Sequence, residues 1–133
     1  MTTTNNILTE VWNIVSSSPI SALSGGIYKN TRPTDSALED CIISMFPGVS
    51  GKFLCDGQIS IKIFYKDLFS NNTYVEDSLK GQAMEGLLND LSLILLTNNT
   101  IIFYVESREG YTAPVNEIHQ HYAILKMKFK LIN

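Results

Sequence analysis

Two histidines near the C-terminus, His119 and His121, are the residues best suited to metal chemistry. Side chains at positions i and i+2 of a β-strand face the same side, so two imidazoles at this spacing can chelate a metal ion. A complete site needs further ligands, and none of Cys41, Cys55 and Glu117 stands at a recognisable ligand spacing from the pair. The sequence therefore favours two imidazoles at the start of a half-exposed strand, and it predicts neither a metal site nor a cofactor.

A group of acidic residues, Asp35, Glu39 and Asp40, follows Arg32. Paired carboxylates can act as general acid and general base in catalysis. These residues, however, lie at the entry to an aliphatic segment, where charges more often cap a turn, protect a sheet edge or bridge to a neighbouring subunit. We therefore predict that the four residues belong to a subunit or partner interface and not to a catalytic centre.

The serine and glycine patterns of common enzyme classes are missing from the sequence. Ser24-Gly25-Gly26 lacks the glycine two residues before the serine that a nucleophile elbow requires. Gly48, Gly51 and Gly57 are not followed by the Lys-Ser/Thr pair that opens a helix in a phosphate-binding loop. We predict that the protein is not an enzyme. The acidic group and the histidine pair are the only catalytic alternatives that the sequence leaves.

The charge distribution argues against a nucleic-acid partner. The net charge is −3, and the ten Lys and Arg residues are scattered except for Lys126, Lys128 and Lys130. A free-standing nucleic-acid-binding protein usually has a basic surface, so we expect no specific nucleic-acid binding. The three lysines share one face of a predicted strand, which could meet DNA phosphate or an acidic partner. The favoured interpretation is that they keep a long strand from pairing wrongly. The three lysines are also candidate residues of a subunit or partner interface.

The composition predicts one globular domain that spans residues 1–133. Hydrophobic residues make up 44% of the chain and charged residues only 17%, below the roughly 25% of typical soluble domains. Two interpretations remain open: the surface is largely neutral and polar, or much of it is buried against partners.

The sequence contains no recognisable targeting or membrane signal. Residues 1–10 lack the basic stretch and the apolar run of a signal peptide, and no segment approaches the length of a membrane span. The two cysteines are too few for a disulfide framework. We expect reduced thiols, no membrane partner and synthesis in the cytoplasm.

Two helices are predicted from apolar residues at spacings of three and four. The first begins after Thr4 or Asn5, carries Ile7, Val11 and Val15 on one side, and ends at Ser16–Pro19. The second runs from about Val75 to Leu96. Its apolar stripe is formed by residues 79, 83, 87, 91 and 95, and residues 84 and 88 widen it, so the helix is expected to contact more than one surface.

Five strands are predicted from β-favouring segments and from alternation. They are Ile27–Thr31, Glu39–Phe46, Gln58–Asp67, Ile101–Ser107 and Glu117–Ile132. The third alternates most clearly, with apolar side chains at residues 59, 61, 63 and 65. The segment from Arg108 to Asn116 is expected to be an irregular loop. Its length and mixed charge predict that Arg108, Glu109 and Tyr111 contact a neighbour.

The order of elements is helix, three strands, long helix and two strands. This order predicts the α+β class, with an antiparallel or mixed sheet of about five strands on which an N-terminal helix and one long helix pack.

Three segments resemble small tail-completion proteins of tailed bacteriophages, in particular the tail-terminator type. They are Gly26–Pro33, Ser36–Asp40 with its Glu-Asp pair, and Gly57–Asp67. The resemblance implies a virion structural protein that forms a ring in the neck or tail, where tail termination or head–tail joining takes place. It also implies a homo-oligomeric ring, a hexamer or a dodecamer, in contact with other neck, portal, connector or tail proteins. The family has no catalytic residues that could be assigned to positions of this sequence.

A different class of function remains as the alternative. The same sheet in a small cytoplasmic adaptor domain would hold a peptide or a protein partner. The mass in solution discriminates the two, because a ring protein forms hexamer-sized or larger particles, or pairs with a partner, whereas an adaptor stays small.

Overall fold

The computed structural model describes residues 4–50, 54–97 and 109–132. The helices are α1 (Thr4–Ser16) and α2 (Ser78–Leu96), and two short 3₁₀ turns cover Pro19–Ala22 and Asn116–Ile118. The strands are β1 (Ile27–Lys29), β2 (Cys41–Ser50), β3 (Leu54–Lys66), β4 (Leu68–Ser70), β5 (Thr73–Val75), β6 (Glu109–Val115) and β7 (Gln120–Ile132).

Five of the strands form one mixed sheet in the order β1-β2-β3-β7-β6. The β1–β2 pair is parallel and the other three pairs are antiparallel. Strands β4 and β5 form a separate two-stranded hairpin. The predicted α+β class, with a mixed five-stranded sheet, a short N-terminal helix and one long helix, is confirmed.

The core lies between the two helices and one face of the sheet, which we call the inner face. Strand β3 contributes Ile59, Ile61, Ile63 and Tyr65 to this face, and β7 contributes Ala123, Leu125, Met127 and Phe129, all of them buried. The period of two in both sequences places these side chains on one side of each strand, and the ladder pairs them across the sheet. The alternation predicted for β3 is therefore confirmed, and β7 alternates in the same way.

Helix α1 packs its predicted apolar side on the core, where Ile7, Val11 and Val15 are almost inaccessible. After the helix ends, Ser18 caps the first 3₁₀ turn, because its hydroxyl accepts a hydrogen bond from Ile20 N at 3.3 Å. The indole Nε1 of Trp12 donates to the carbonyl of Ile27 at 3.0 Å and fixes the helix to β1.

Helix α2 begins later than predicted. Val75 belongs to β5, and the helix starts at Ser78 because the carboxylate of Asp77 accepts from Lys80 N at 3.2 Å and caps it. The predicted stripe is buried only in part. Met84, Leu88, Leu91 and Leu95 are buried as predicted, whereas Leu79 is 80% exposed and Ala83 is exposed as well. Leucines occur on both sides of the helix, so their spacing alone does not select the buried side.

The irregular loop predicted for residues 108–116 is wrong over most of its length. Glu109–Val115 form the strand β6, which pairs antiparallel with β7. The sequence does not predict this strand because it contains Gly110 and Pro114, and both residue types are rare within strands. Proline is nevertheless accepted on an edge strand. The strand predicted over Ile101–Ser107 and the residue Arg108 lie outside the described residues.

Strand β2 is longer than predicted, since it passes through Pro47 and ends at Ser50. The ladder to β3 shifts register between Pro47 and Ser50, as expected where proline cannot donate a hydrogen bond. The turn at Asn71-Asn72 joins β4 to β5. Both asparagines have positive φ, 51° and 59°, as the two central residues of a type I′ hairpin turn do.

Within the described part of the chain, no helix is long and apolar enough to cross a bilayer.

Candidate assembly surfaces

The face of the sheet that points away from the helices is called the outer face here. Its ladder positions include Lys62, Phe64, Tyr122, Ile124, Lys126 and Lys128. Phe64 and Ile124 are buried although both helices lie on the other side of the sheet. The rings of Phe64 and Tyr122 lie 5.6 Å apart, and Lys62 Nζ lies 4.7 Å from the centre of the Tyr122 ring. The outer face thus has an apolar and aromatic part, and Lys62 lies above its Tyr122 ring.

The loop between β1 and β2 is attached to the outer face through Arg32. The guanidinium lies 4.0 Å above the ring of Phe64, and its Nε lies 3.2 Å from a carboxylate oxygen of Asp40. Its Nη2 donates to the side-chain oxygen of Gln120 at 3.0 Å and to the carbonyl of Ser36. Gln120 Nε2 also donates to the carbonyl of Ser36 at 2.8 Å. Arg32 and Gln120 therefore fix the loop to β3 and β7.

Asp40 is the anionic centre of this arrangement and is fully buried. Its second carboxylate oxygen accepts from Gly26 N at 3.1 Å, which ties the start of β2 to the residue that precedes β1. Gly25 stands so close that an added Cβ would lie 2.3 Å from Asp40 Oδ1 and 2.5 Å from the Glu39 carbonyl carbon, so only glycine fits there. Burial lowers the pKa of the Arg32 guanidinium, while the Asp40 charge raises it.

The predicted interface residues around Arg32 thus separate into two groups. Arg32 and Asp40 bind each other in the interior, whereas Asp35 is exposed and has a positive φ of 56°. Glu39 reaches the helix side, where a carboxylate oxygen lies 2.7 Å from Lys80 Nζ. The hydrogen bond from Lys80 lowers the pKa of Glu39. Asp35 is the most accessible of the four residues.

The described interface residues that were predicted in the C-terminal region lie in two adjacent strands of the sheet. Lys126 and Lys128 occupy alternate ladder positions, and Lys130 continues this row in β7. In the adjacent strand, Glu109 lies opposite Lys126, and Tyr111 lies opposite Ile124. The sequence placed Glu109 and Tyr111 in a loop, but β6 puts them in register with the lysine strand.

A second surface was not predicted from the sequence. The β4–β5 hairpin carries Leu68, Phe69, Tyr74 and Val75, which we call the hairpin surface. All four are at least 44% exposed, and Phe69 is 63% exposed. The Phe69 and Tyr74 rings lie 5.0 Å apart. Strands β4 and β5 each contain only two large apolar residues in succession. The sequence therefore has no periodic pattern long enough to predict the hairpin surface. The Asn71-Asn72 turn is the signal that could have found it.

The two histidines have different partners and different backbone conformations. His119 has a positive φ of 53° and precedes β7, and its ring stacks on Tyr74 at 3.7 Å with an interplanar angle of 8°. His121 lies within β7, and its Nδ1 is 2.5 Å from Asp67 Oδ1. The expectation that both histidines lie in one strand is therefore wrong, because β7 begins only at Gln120. Among the residues that the structure describes, no cluster of three potential ligands could hold a metal ion.

A polar network joins the hairpin, α2 and the sheet beneath His121. The hydroxyl of Tyr65 donates to Glu76 Oε1 at 2.7 Å, and His121 Nε2 lies 4.0 Å from Glu76 Oε2. Burial, followed by the contact with Glu76, raises the pKa of Tyr65 above its ordinary value. A neutral tyrosine that donates to a carboxylate positions the hairpin and α2, and it is not suited to act as a base.

Gly81 of α2 is the position where this network constrains the helix. An added Cβ would lie 2.8 Å from the hydroxyl oxygen of Tyr65. We expect Gly81→Ala to lower the free energy of unfolding by about 1 kcal/mol, because the clash exceeds the gain in helix propensity. In a Tyr65→Phe background the same substitution should stabilise the protein by up to about 1 kcal/mol. A double-mutant cycle by urea denaturation measures both values, and an equal effect in the two backgrounds would contradict the contact.

The comparisons with known proteins add no relative. No protein-family model matches the chain, and no curated protein matches it at the threshold for significance.

Proposed function

We propose that the protein is a structural component of a tailed-phage virion, a subunit of a ring in the neck or tail that acts in tail termination or head–tail joining. The observation that carries the proposal is the hairpin surface, which presents four large apolar side chains to solvent. A two-stranded hairpin of this size is marginally stable on its own in water. An element of this kind is suited to be covered by a neighbouring molecule.

A closed ring requires two different and complementary surfaces on each subunit. The hairpin surface and the outer face of the sheet are the two surfaces that we assign to these contacts. The hairpin surface is apolar, whereas the outer face carries Lys62, Lys126 and Lys128. Two surfaces of such different character support head-to-tail association. Other neck, portal, connector or tail proteins would bind the same exposed elements at the ends of a ring.

Analysis of particles tests the proposed location. Particles are purified from a phage whose genome carries this gene. Mass spectrometry of these particles should detect the protein in a few to a dozen copies per particle. A nonsense mutation in the gene should leave unjoined heads or tails of irregular length in electron micrographs. Absence of the protein from particles, together with normal particles in the mutant, would refute the virion role.

Substitution of Phe69 tests the hairpin surface. Phe69→Asp should reduce the ring-sized fraction, or the incorporation into particles, at least tenfold, because a carboxylate would be placed in an apolar contact. Sedimentation velocity of the purified protein and quantification in particles measure the two effects. Asn72→Asp is the matched control, since it adds the same charge to the turn of the same hairpin at a positive φ that Asp tolerates. Equal assembly of Phe69→Asp and wild type would remove the hairpin from the contact.

A further inference from the structure

The base of the β4–β5 hairpin is attached to both histidines of the chain. The backbone N–H of Asp67, where the chain enters the hairpin, donates to the carbonyl of His119 at 3.0 Å. The Tyr74 ring of the hairpin stacks on the His119 ring at 3.7 Å, and the carboxylate of Asp67 contacts His121. Histidine is the side chain whose charge changes between about pH 5 and 8. The attachment of the hairpin to β7 therefore includes both groups of this type in the chain.

His121 lies between two carboxylates from opposite ends of the hairpin. Its Nδ1 is 2.5 Å from Oδ1 of Asp67, which precedes β4, and its Nε2 is 4.0 Å from Oε2 of Glu76, which follows β5. The side chains of His121 and Asp67 retain 17% and 9% of their exposure, and that of Glu76 retains 33%. One imidazole thus connects the two ends of the hairpin at a place where solvent screens the charges only in part.

The other elements around His121 bring no cation that competes for these carboxylates in the described part of the chain. The Tyr65 ring of β3 stacks on His121, with the ring centres 6.1 Å apart, and its hydroxyl donates to Glu76. Burial, then Glu76 and most weakly Glu85 of α2 raise the pKa of Tyr65, so this side chain stays neutral between pH 5 and 8. On the other side, the ladder partner of His121 in β6 is the uncharged Pro114. His121 is therefore the group of this cluster whose charge can be positive.

The number of N–H groups on the ring depends on protonation. A neutral imidazole has one N–H, and the ionised carboxylate of Asp67 can only accept, so this hydrogen belongs on Nδ1. The lone pair of Nε2 then faces the Glu76 carboxylate and does not attract it. An imidazolium has a second N–H on Nε2, and its positive charge attracts both carboxylates. Protonation therefore changes the contact with Glu76 from unfavourable to favourable.

We propose that His121 is a pH-dependent latch of the β4–β5 hairpin. In the protonated form the imidazolium holds both ends of the hairpin, and loss of the proton releases the attraction to Glu76. The hairpin surface is then fixed to the sheet more firmly at pH 5.5 than at pH 8. The latch acts within one subunit and does not depend on the virion role.

Hydrogen exchange followed by NMR tests the latch in the purified protein. The amide of Asp67 reports the attachment directly, because it donates to the carbonyl of His119. Each rate is divided by the intrinsic rate of the unfolded sequence at the same pH, which gives a protection factor. We expect the protection factor of Asp67 to be about two- to fivefold lower at pH 8 than at pH 5.5, as for the loss of one partly exposed ion pair. Equal protection at the two pH values, or an equal decrease at Ile61 in the centre of β3, would overturn the proposal.

Two asparagine variants assign the effect to one histidine. His121→Asn keeps an N–H donor near the position of Nδ1 but cannot be protonated, so its Asp67 protection should not change with pH. His119→Asn is the matched control, since it removes the other histidine at a positive φ that asparagine tolerates. The control should retain the pH dependence, although loss of the stack on Tyr74 lowers its protection at both pH values. A pH dependence that persists in His121→Asn, or disappears in His119→Asn, would exclude His121 as the latch.

Glu76→Gln tests the second contact without a change at either histidine. The amide oxygen can still accept from Tyr65, but the charge that faces Nε2 is removed. The difference between the two pH values should therefore decrease to less than half of that in the wild-type protein, and an undiminished difference would contradict the role of Glu76. None of these measurements contains an assembly step. A failure of the latch thus leaves the virion role standing, and absence of the protein from particles leaves the latch standing.

Discussion

Replacement of Asp40 by alanine is expected to lower the free energy of unfolding by about 3–5 kcal/mol. The carboxylate is fully buried, and its partner Arg32 retains only 10% of its side-chain exposure. Removal of the anion leaves a buried guanidinium without its counter-charge, and it also leaves Gly26 N without its acceptor. The loss is large because the cation cannot reach water without detaching residues 30–40 from the sheet.

Urea denaturation measures this loss, and Asp35→Ala is the matched control. Asp35 lies in the same loop but is exposed, so its removal should change the free energy of unfolding by less than about 0.5 kcal/mol. The double variant Arg32→Met/Asp40→Leu should recover part of the stability, because an apolar pair of similar size is often close to neutral in place of a buried ion pair. A loss below about 1 kcal/mol in Asp40→Ala would contradict a structural role for the pair.

The thiol of Cys41 is expected to react about a thousandfold more slowly than an exposed thiol at pH 8. Cys41 is buried on β2, and burial, with a smaller contribution from the charge of Asp40, raises its pKa to about 12. A thiol with a pKa near 9 is about one-tenth thiolate at pH 8, whereas one with a pKa near 12 is about one part in ten thousand. The thiolate is the reactive form, so the rate falls with its fraction.

A Cys55→Ser variant isolates this reaction, which a chromogenic disulfide reagent follows. The native variant should show almost no fast reaction, and the same protein in concentrated urea should react completely. A fast native reaction of one thiol per chain would show that Cys41 is accessible and would contradict its position in the core.

The same shift predicts a loss of stability at alkaline pH. In the unfolded chain the thiol ionises near pH 9, whereas in the folded protein it stays neutral until about pH 12. The contribution of the Cys41 thiol to stability is complete below pH 9 and decreases as the pH rises towards 12, because the thiol of the unfolded chain loses its proton first. Tyr65, whose pKa is also raised, acts in the same direction above pH 10. The melting temperature of Cys41→Ala should therefore decline less steeply between pH 9 and 12 than that of the wild-type protein. An equally steep decline in the two proteins would show that other groups cause the effect.

The sequence by itself determined the elements with long periodic patterns. Residues 58–67 and the last strand alternate over enough positions that their buried faces can be assigned without a structure. Helix α1 has one apolar side and was located correctly for the same reason. The low fraction of charged residues left two interpretations open, a neutral polar surface and a surface buried against partners.

Only the tertiary structure decided which isolated residues meet. The ion pair of Arg32 with Asp40 depends on the parallel pairing of β1 with β2, and Gln120 joins it from 88 positions away in the sequence. The hairpin surface and β6 consist of segments too short, or too rich in glycine and proline, for local patterns to specify. Helix α2 has leucines on both sides, so the side that faces the core was fixed by the fit of Tyr65 against Gly81 and of the larger residues against the sheet. Local periodicity specifies which elements form, but non-local packing selects which of their surfaces remain for a partner.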